Sequence, residues 1–85
     1  MNISKQEQRV LHELALGGEI RHLRGPNGKI QKVTCFTREG HVLSGCTLEV
    51  FMRLKKRRFV HSKNGRPYRA SKLGVTSVRA QLNQR

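Results

Sequence analysis

The chain has no tryptophan, one tyrosine and three phenylalanines in 85 residues. Its core must therefore be mostly aliphatic, closed by Leu, Val and Ile rather than by large rings. Two cysteines are too few for a disulfide framework, and no CxxC or HxxxH spacing turns Cys35 and Cys46 into a zinc site. Both are expected reduced and partly buried. Long apolar runs are missing, and "MNISKQEQRV" lacks the apolar stretch of a signal peptide, so the expectation is a cytoplasmic chain with no membrane partner. Acid is the scarcest commodity. Five glutamates (Glu7, Glu13, Glu19, Glu39, Glu49) and no aspartate stand against 18 Lys and Arg, a net charge of +13.

The acids are also confined to the first 49 residues, where seven bases leave a net +2, while residues 50–85 hold eleven bases and no acid. A half with no carboxylate cannot hold a hard metal ion. His12, His22, His41 and His61 are scattered along the chain, with no acid placed to orient one beside a nucleophile. The expectation is a protein that is not an enzyme and uses no cofactor. Such one-sided charge suits a surface that meets a polyanion, whereas a merely solvated basic face needs no partner. The densest part is "RLKKRRFVHSKNGRPYR", with Arg53, Lys55, Lys56, Arg57, Arg58, Lys63, Arg66 and Arg69. Those eight side chains are the candidate nucleic-acid or partner-binding residues.

At this length one small domain spanning residues 1–85 is expected. Ser4 followed by Glu7 forms a capping box, Val10, Leu11, Leu14 and Ala15 recur at helical spacing, and Gly17-Gly18 is a stop. The first helix is predicted over 5–16. "EIRHLR" and "KIQKVTCFT" flank "GPNG" and read as a hairpin. Its register stays open: a two-residue loop pairs Ile20 with Cys35, a four-residue loop pairs Leu23 with Ile30. "HVL" at 41–43 is a candidate third short strand.

Thr47 is positioned to cap "LEVFMRLKKRR", in which Val50, Phe51 and Leu54 share one face and Leu48 borders it. Helical continuation would bring Arg58 into that apolar stripe, so the helix is predicted to end near Arg57, with Arg53 and Lys56 on the opposite face and Lys55 and Arg57 on the flanks. "FVHSK" and "RPYRA" around Asn64-Gly65 then predict a type I′ hairpin pairing Lys63 with Arg66, His61 with Tyr68 and Phe59 with Ala70. Ser71 caps a last helix carrying Val75, Val78 and Leu82, whose first turn Gly74 weakens.

The resulting fold class is α+β, winged-helix-like, with three helices and two β-hairpins. "LKKRRFVHSKNGRPYRASKLG" resembles the run from recognition helix through wing to closing helix, in which the helix enters a major groove and the wing reaches phosphate or the minor groove. The pattern departs from the usual regulator before Thr47, where "HVLSGC" is too short for a helix-turn-helix partner.

"MNISKQEQRVLHELALGGEI", "REGHVLSGCTLEVFMRLKK" and "NGRPYRASKLGVTSVRAQLNQR" together resemble the YjhX-type family of small bacterial proteins, over essentially the whole chain. That resemblance implies a toxin of a toxin–antitoxin pair that inhibits bacterial DNA topoisomerase I. It brings as partners the topoisomerase and a cognate antitoxin protein, while duplex DNA is a candidate partner on the basic charge of residues 50–85. No family motif assigns a role to a particular residue here. Charge alone leaves two alternatives, a winged-helix DNA-binding transcription regulator and an RNA- or ribosome-associated protein.

Overall fold

In a computed structural model the backbone is described for residues 4–82 and the side chains as far as Val78. The expected contact of Leu82 lies outside the described residues. Helix α1 (Lys5–Ala15) starts where the capping box places it. Ser4 Oγ accepts from the Glu7 N–H at 3.1 Å and donates to the Glu7 carboxylate at 3.1 Å. Val10, Leu11 and Leu14 are buried on its inner face.

Strands β1 (Glu19–Arg24) and β2 (Ile30–Phe36) form the first antiparallel hairpin. The base takes the register of the two-residue loop, and the tip takes neither candidate register, since Leu23 pairs with Lys32 rather than Ile30. Ile20 pairs with Cys35 at the base, a bulge follows Leu23, and Arg24 then pairs with Ile30. The bulge at Gln31 lets a loop closed by the Gly25 N–H on the Lys29 carbonyl (2.8 Å) coexist with the base register. Beyond β2 the "HVL" segment returns only as a single bridge, Phe36 to Val42.

Helix α2 (Leu48–Lys56) is capped by Thr47, whose hydroxyl accepts from the Val50 N–H. Its end is a Schellman turn. The Phe59 N–H reaches the Leu54 carbonyl at 3.0 Å and the Arg58 N–H reaches Lys55 at 3.0 Å. Arg58 takes the left-handed position, with φ 62°, which swings its charge off the apolar stripe into solvent. A side chain in that position is strained where glycine is not. Arg58→Gly is therefore expected to stabilise the fold by about 0.5–1 kcal/mol in denaturant titration, because the turn's hydrogen bonds come only from the backbone.

The second hairpin joins β3 (Val60–His61) to β4 (Arg69–Ala70). Its tip is as predicted, with Asn64 at φ 56°, Gly65 at φ 75° and the Arg66 N–H on the Lys63 carbonyl. Its base is one residue out of the predicted register: Val60 faces Ala70 and His61 faces Arg69. The cause lies in another strand. Tyr68 exchanges both backbone hydrogen bonds with Ile20, each 2.8 Å, so its N–H and C=O face β1 and are lost to His61. That bridge ties the two hairpins together.

Helix α3 (Lys72–Leu82) begins at Ser71, which accepts from the Gly74 N–H and donates to the Arg58 carbonyl. Gly74 does more than weaken the first turn. A Cβ there would lie 2.3 Å from the Phe59 carbonyl oxygen, so its absence lets α3 cross the base of the second hairpin. All elements meet at Phe51, Leu11, Ile20 and Leu54, each fully or almost fully buried, with Val10, Cys35, Val50, Phe59, Val60, Tyr68 and Val78 around them. Phe51 meets Tyr68 edge to face at 4.9 Å between centroids.

Candidate functional site

The eight predicted site residues fall into three environments. Lys55, Lys56 and Arg58 are exposed on and just beyond the last turn of α2. Lys63, Arg66 and Arg69 are exposed on the second hairpin, where they line one open depression of about 460 Å³ with His61, Pro67 and Glu19. Arg53 and Arg57 have carboxylates. Glu7 of α1, only 2% exposed, lies 3.5 Å from Arg53 Nη1 and 3.5 Å from Arg57 Nε, and Arg53 also binds Glu49 one turn away on α2.

Glu7 therefore has two structural tasks: it accepts from the Ser4 hydroxyl at the start of α1 and it fastens α2 to α1 through two guanidinium groups. One of its oxygens, Oε2, has no hydrogen bond among the described residues and relies on Arg57 electrostatically. Glu7→Gln is expected to lower stability by about 1.5–2 kcal/mol, the low end of the range for hydrogen bonds to a charged group, because the amide keeps the volume and removes the charge. Both arginines are partly solvated, which keeps the loss below that of a fully buried pair. Chemical denaturation measures it. An unchanged midpoint would show the Glu7 contacts to be energetically silent.

The hairpin group extends further than charge counting suggested. A second depression, lined in part by Arg21, Phe36, Arg38 and Arg69, shares Glu19 and Arg69 with the first. Arg21 lies over the Phe36 ring at 4.8 Å and pairs with Glu19 at 2.9 Å, while Arg69 sits 4.0 Å from the same carboxylate. Glu19 thus holds two arginines side by side at the β1–β4 junction without neutralising both. Arg21, Arg38 and His61 are the residues that sequence reasoning missed. His61 was legible from its two-residue spacing to Lys63, but the two arginines belong to the nearly neutral half and join the surface only through the Ile20–Tyr68 bridge.

Among the described residues no three His, Cys, Asp or Glu side chains group to hold a metal ion. No described helix is long and apolar enough to cross a membrane. What the surface offers is cations on a short helix end and a tight hairpin, suited to phosphates or carboxylates.

Residues 1–85 match the family described as "Putative toxin of bacterial toxin-antitoxin pair". A UPF0386 protein of Aliivibrio fischeri is 60% identical over the full length of both chains. Another, from Beijerinckia indica, is also 60% identical over both full lengths. One from Caulobacter vibrioides is 49% identical, covering all of this chain and 93% of its own. No solved structure matches the chain. A match along every residue and such high identity across whole relatives mean that the chain belongs to the YjhX toxin family, whose toxin–antitoxin pairing implies a cognate antitoxin partner.

Proposed function

We propose that the chain is a non-enzymatic inhibitor of bacterial DNA topoisomerase I, acting in the cytoplasm. It engages the enzyme, its DNA or both through the C-terminal end of α2 and the β3–β4 hairpin, used as a winged-helix module uses its recognition helix and wing. The observation that carries this reading is the convergence of Lys63, Arg66 and Arg69 on one open depression, where the acid in the lining, Glu19, is already shared between Arg21 and Arg69. The topoisomerase as target rests on the family resemblance. A type of enzyme that grips DNA in a basic groove and cleaves it beside acidic side chains presents two anionic counterparts, phosphate and carboxylate. Docking on the acids blocks DNA access, and docking on the DNA hides the substrate.

A pull-down with purified topoisomerase I after nuclease treatment separates the two routes. Retention without DNA supports direct contact with the enzyme, and loss of retention with the nuclease supports the DNA route. On the DNA route, ~4–6 phosphate contacts give a log–log slope of affinity against salt of about −4 to −5. Binding to duplex DNA that does not weaken with salt would exclude a phosphate-reading surface.

A winged-helix transcription regulator is the second reading, supported by the Tyr68–Ile20 bridge that attaches the hairpin to β1. It predicts a preference of at least ~10³ for one DNA sequence over random duplex, readable by selection from a random oligonucleotide pool. A flat selection profile would remove it.

A further inference from the structure

Arg21, Arg38 and Arg69 line an open depression of about 410 Å³ that adjoins the one lined by Lys63 and Arg66, with Glu19 and Arg69 in the walls of both. Two of these guanidinium groups are positioned by the fold. Arg21 donates from Nε to Glu19 Oε2 at 2.9 Å and lies over the Phe36 ring at 4.8 Å, which leaves both of its Nη groups without a hydrogen-bond partner among the described residues. Arg38 runs its stem over the bare backbone of Gly17, where a Cβ would lie 3.4 Å from Arg38 Cγ and Cδ. Its guanidinium pairs with no carboxylate among the described residues. Arg69 Nη2 stands 4.0 Å from Glu19 Oε1, an ion-pair separation too long for a hydrogen bond. Three positive groups against the one carboxylate leave the depression cationic, with donors to spare.

We propose that this depression is a second phosphate-binding site, continuous with that of the second hairpin, so that one strand of a nucleic-acid backbone crosses both. The donors select the anion, because the planar guanidinium fork meets phosphate oxygens through two parallel N–H bonds. Repetition selects the polymer. Two cationic depressions sharing a wall match an anion that recurs along a chain, and contacts of this kind fix position without reading sequence. Glu19 is a positioning residue: it aligns Arg21 and steers Arg69, and an arriving phosphate takes Arg69 from a contact held only loosely. This second site rests on the DNA route of the proposed function and widens the contact from the second hairpin to the base of the first.

The test is fluorescence anisotropy of the full chain with a short random-sequence duplex across a salt series. Arg21→Gln with Arg38→Gln should flatten the log–log slope of affinity against salt by about 2, since each phosphate contact contributes roughly 0.9. Arg38→Gln alone should flatten it by about 1, and folding is not at stake there because no described ion pair is lost. Lys5→Gln with Arg9→Gln removes the same charge from α1 and should leave the wild-type slope. Lys63→Gln with Arg66→Gln reports on the hairpin tip: if that pair flattens the slope and the Arg21, Arg38 pair does not, the second site is overturned while the tip reading stands. Absence of duplex binding by wild type would overturn the site and the DNA route together, leaving docking on the enzyme.

Two further probes separate the sources of the anion. Inorganic phosphate at constant ionic strength should not displace the duplex, and poly-L-glutamate should bind the Arg21, Arg38 variant as well as it binds the Lys5, Arg9 variant. Displacement by inorganic phosphate would make the depression a lone anion site. Glutamate-polymer binding lost only in the Arg21, Arg38 variant would assign it to an acidic protein, and either result overturns the proposal.

Discussion

Phe51→Ala should leave the chain largely unfolded at physiological temperature. Phe51 has no exposed surface and sits where all three helices and both hairpins converge, edge-on to Tyr68 at 4.9 Å. Truncating a buried aromatic removes its transfer free energy and opens a cavity, together about 3–5 kcal/mol. Total stabilities run from about 5 to 15 kcal/mol, and a chain this small belongs at the low end. The loss is compounded because Tyr68 also carries the backbone bridge to Ile20, so loosening its ring loosens the joint between the hairpins. Thermal melts followed by circular dichroism read the effect, with Met52→Ala on the exposed side of α2 as the comparison. That control should stay within ~0.5 kcal/mol of wild type. Equal midpoints for Phe51→Ala and wild type would place the core elsewhere.

Replacing Lys63 and Arg66 together with glutamate should abolish most binding and inhibition while leaving the fold intact. Both side chains are exposed at the hairpin tip, and the turn between them is held by Asn64, Gly65 and one backbone hydrogen bond. Like charges face each other across the ladder before and after the change, so the local repulsion is similar. The charge of the tip is reversed by four units in total. If the tip meets phosphates or carboxylates, affinity should collapse at low salt and the gap to wild type should narrow as salt screens the contact. Lys5→Glu with Arg9→Glu makes the same charge change on the exposed outer side of α1. Equal losses in the two double variants would reduce the interaction to net charge.

Local signals carried most of the secondary structure. Ser4, Thr47 and Ser71 cap the helices as their spacing indicates, and the unwelcome position of Arg58 correctly ends α2. The tip of the second hairpin follows from Asn64-Gly65, whose positive φ values only a few residue types accept. The register of that hairpin was not legible, because it is decided by Ile20 taking both backbone groups of Tyr68. The same long-range joint hid part of the surface, since Arg21 and Arg38 come beside Arg69 only once β1 and β4 are bridged. Conversely, Arg53 and Arg57 look like free cations in the sequence. Their partner Glu7 lies on another helix, and only α1–α2 packing brings the carboxylate to them.

The most direct test of the account is relaxation of supercoiled plasmid by purified bacterial DNA topoisomerase I, titrated with the folded wild-type chain and with the Lys63→Glu, Arg66→Glu double variant. The account predicts that wild type slows relaxation in a dose-dependent manner and that the variant, with an unchanged melting profile, does so weakly or not at all. Relaxation that proceeds undisturbed at saturating wild-type chain, or that both proteins inhibit equally, would contradict it.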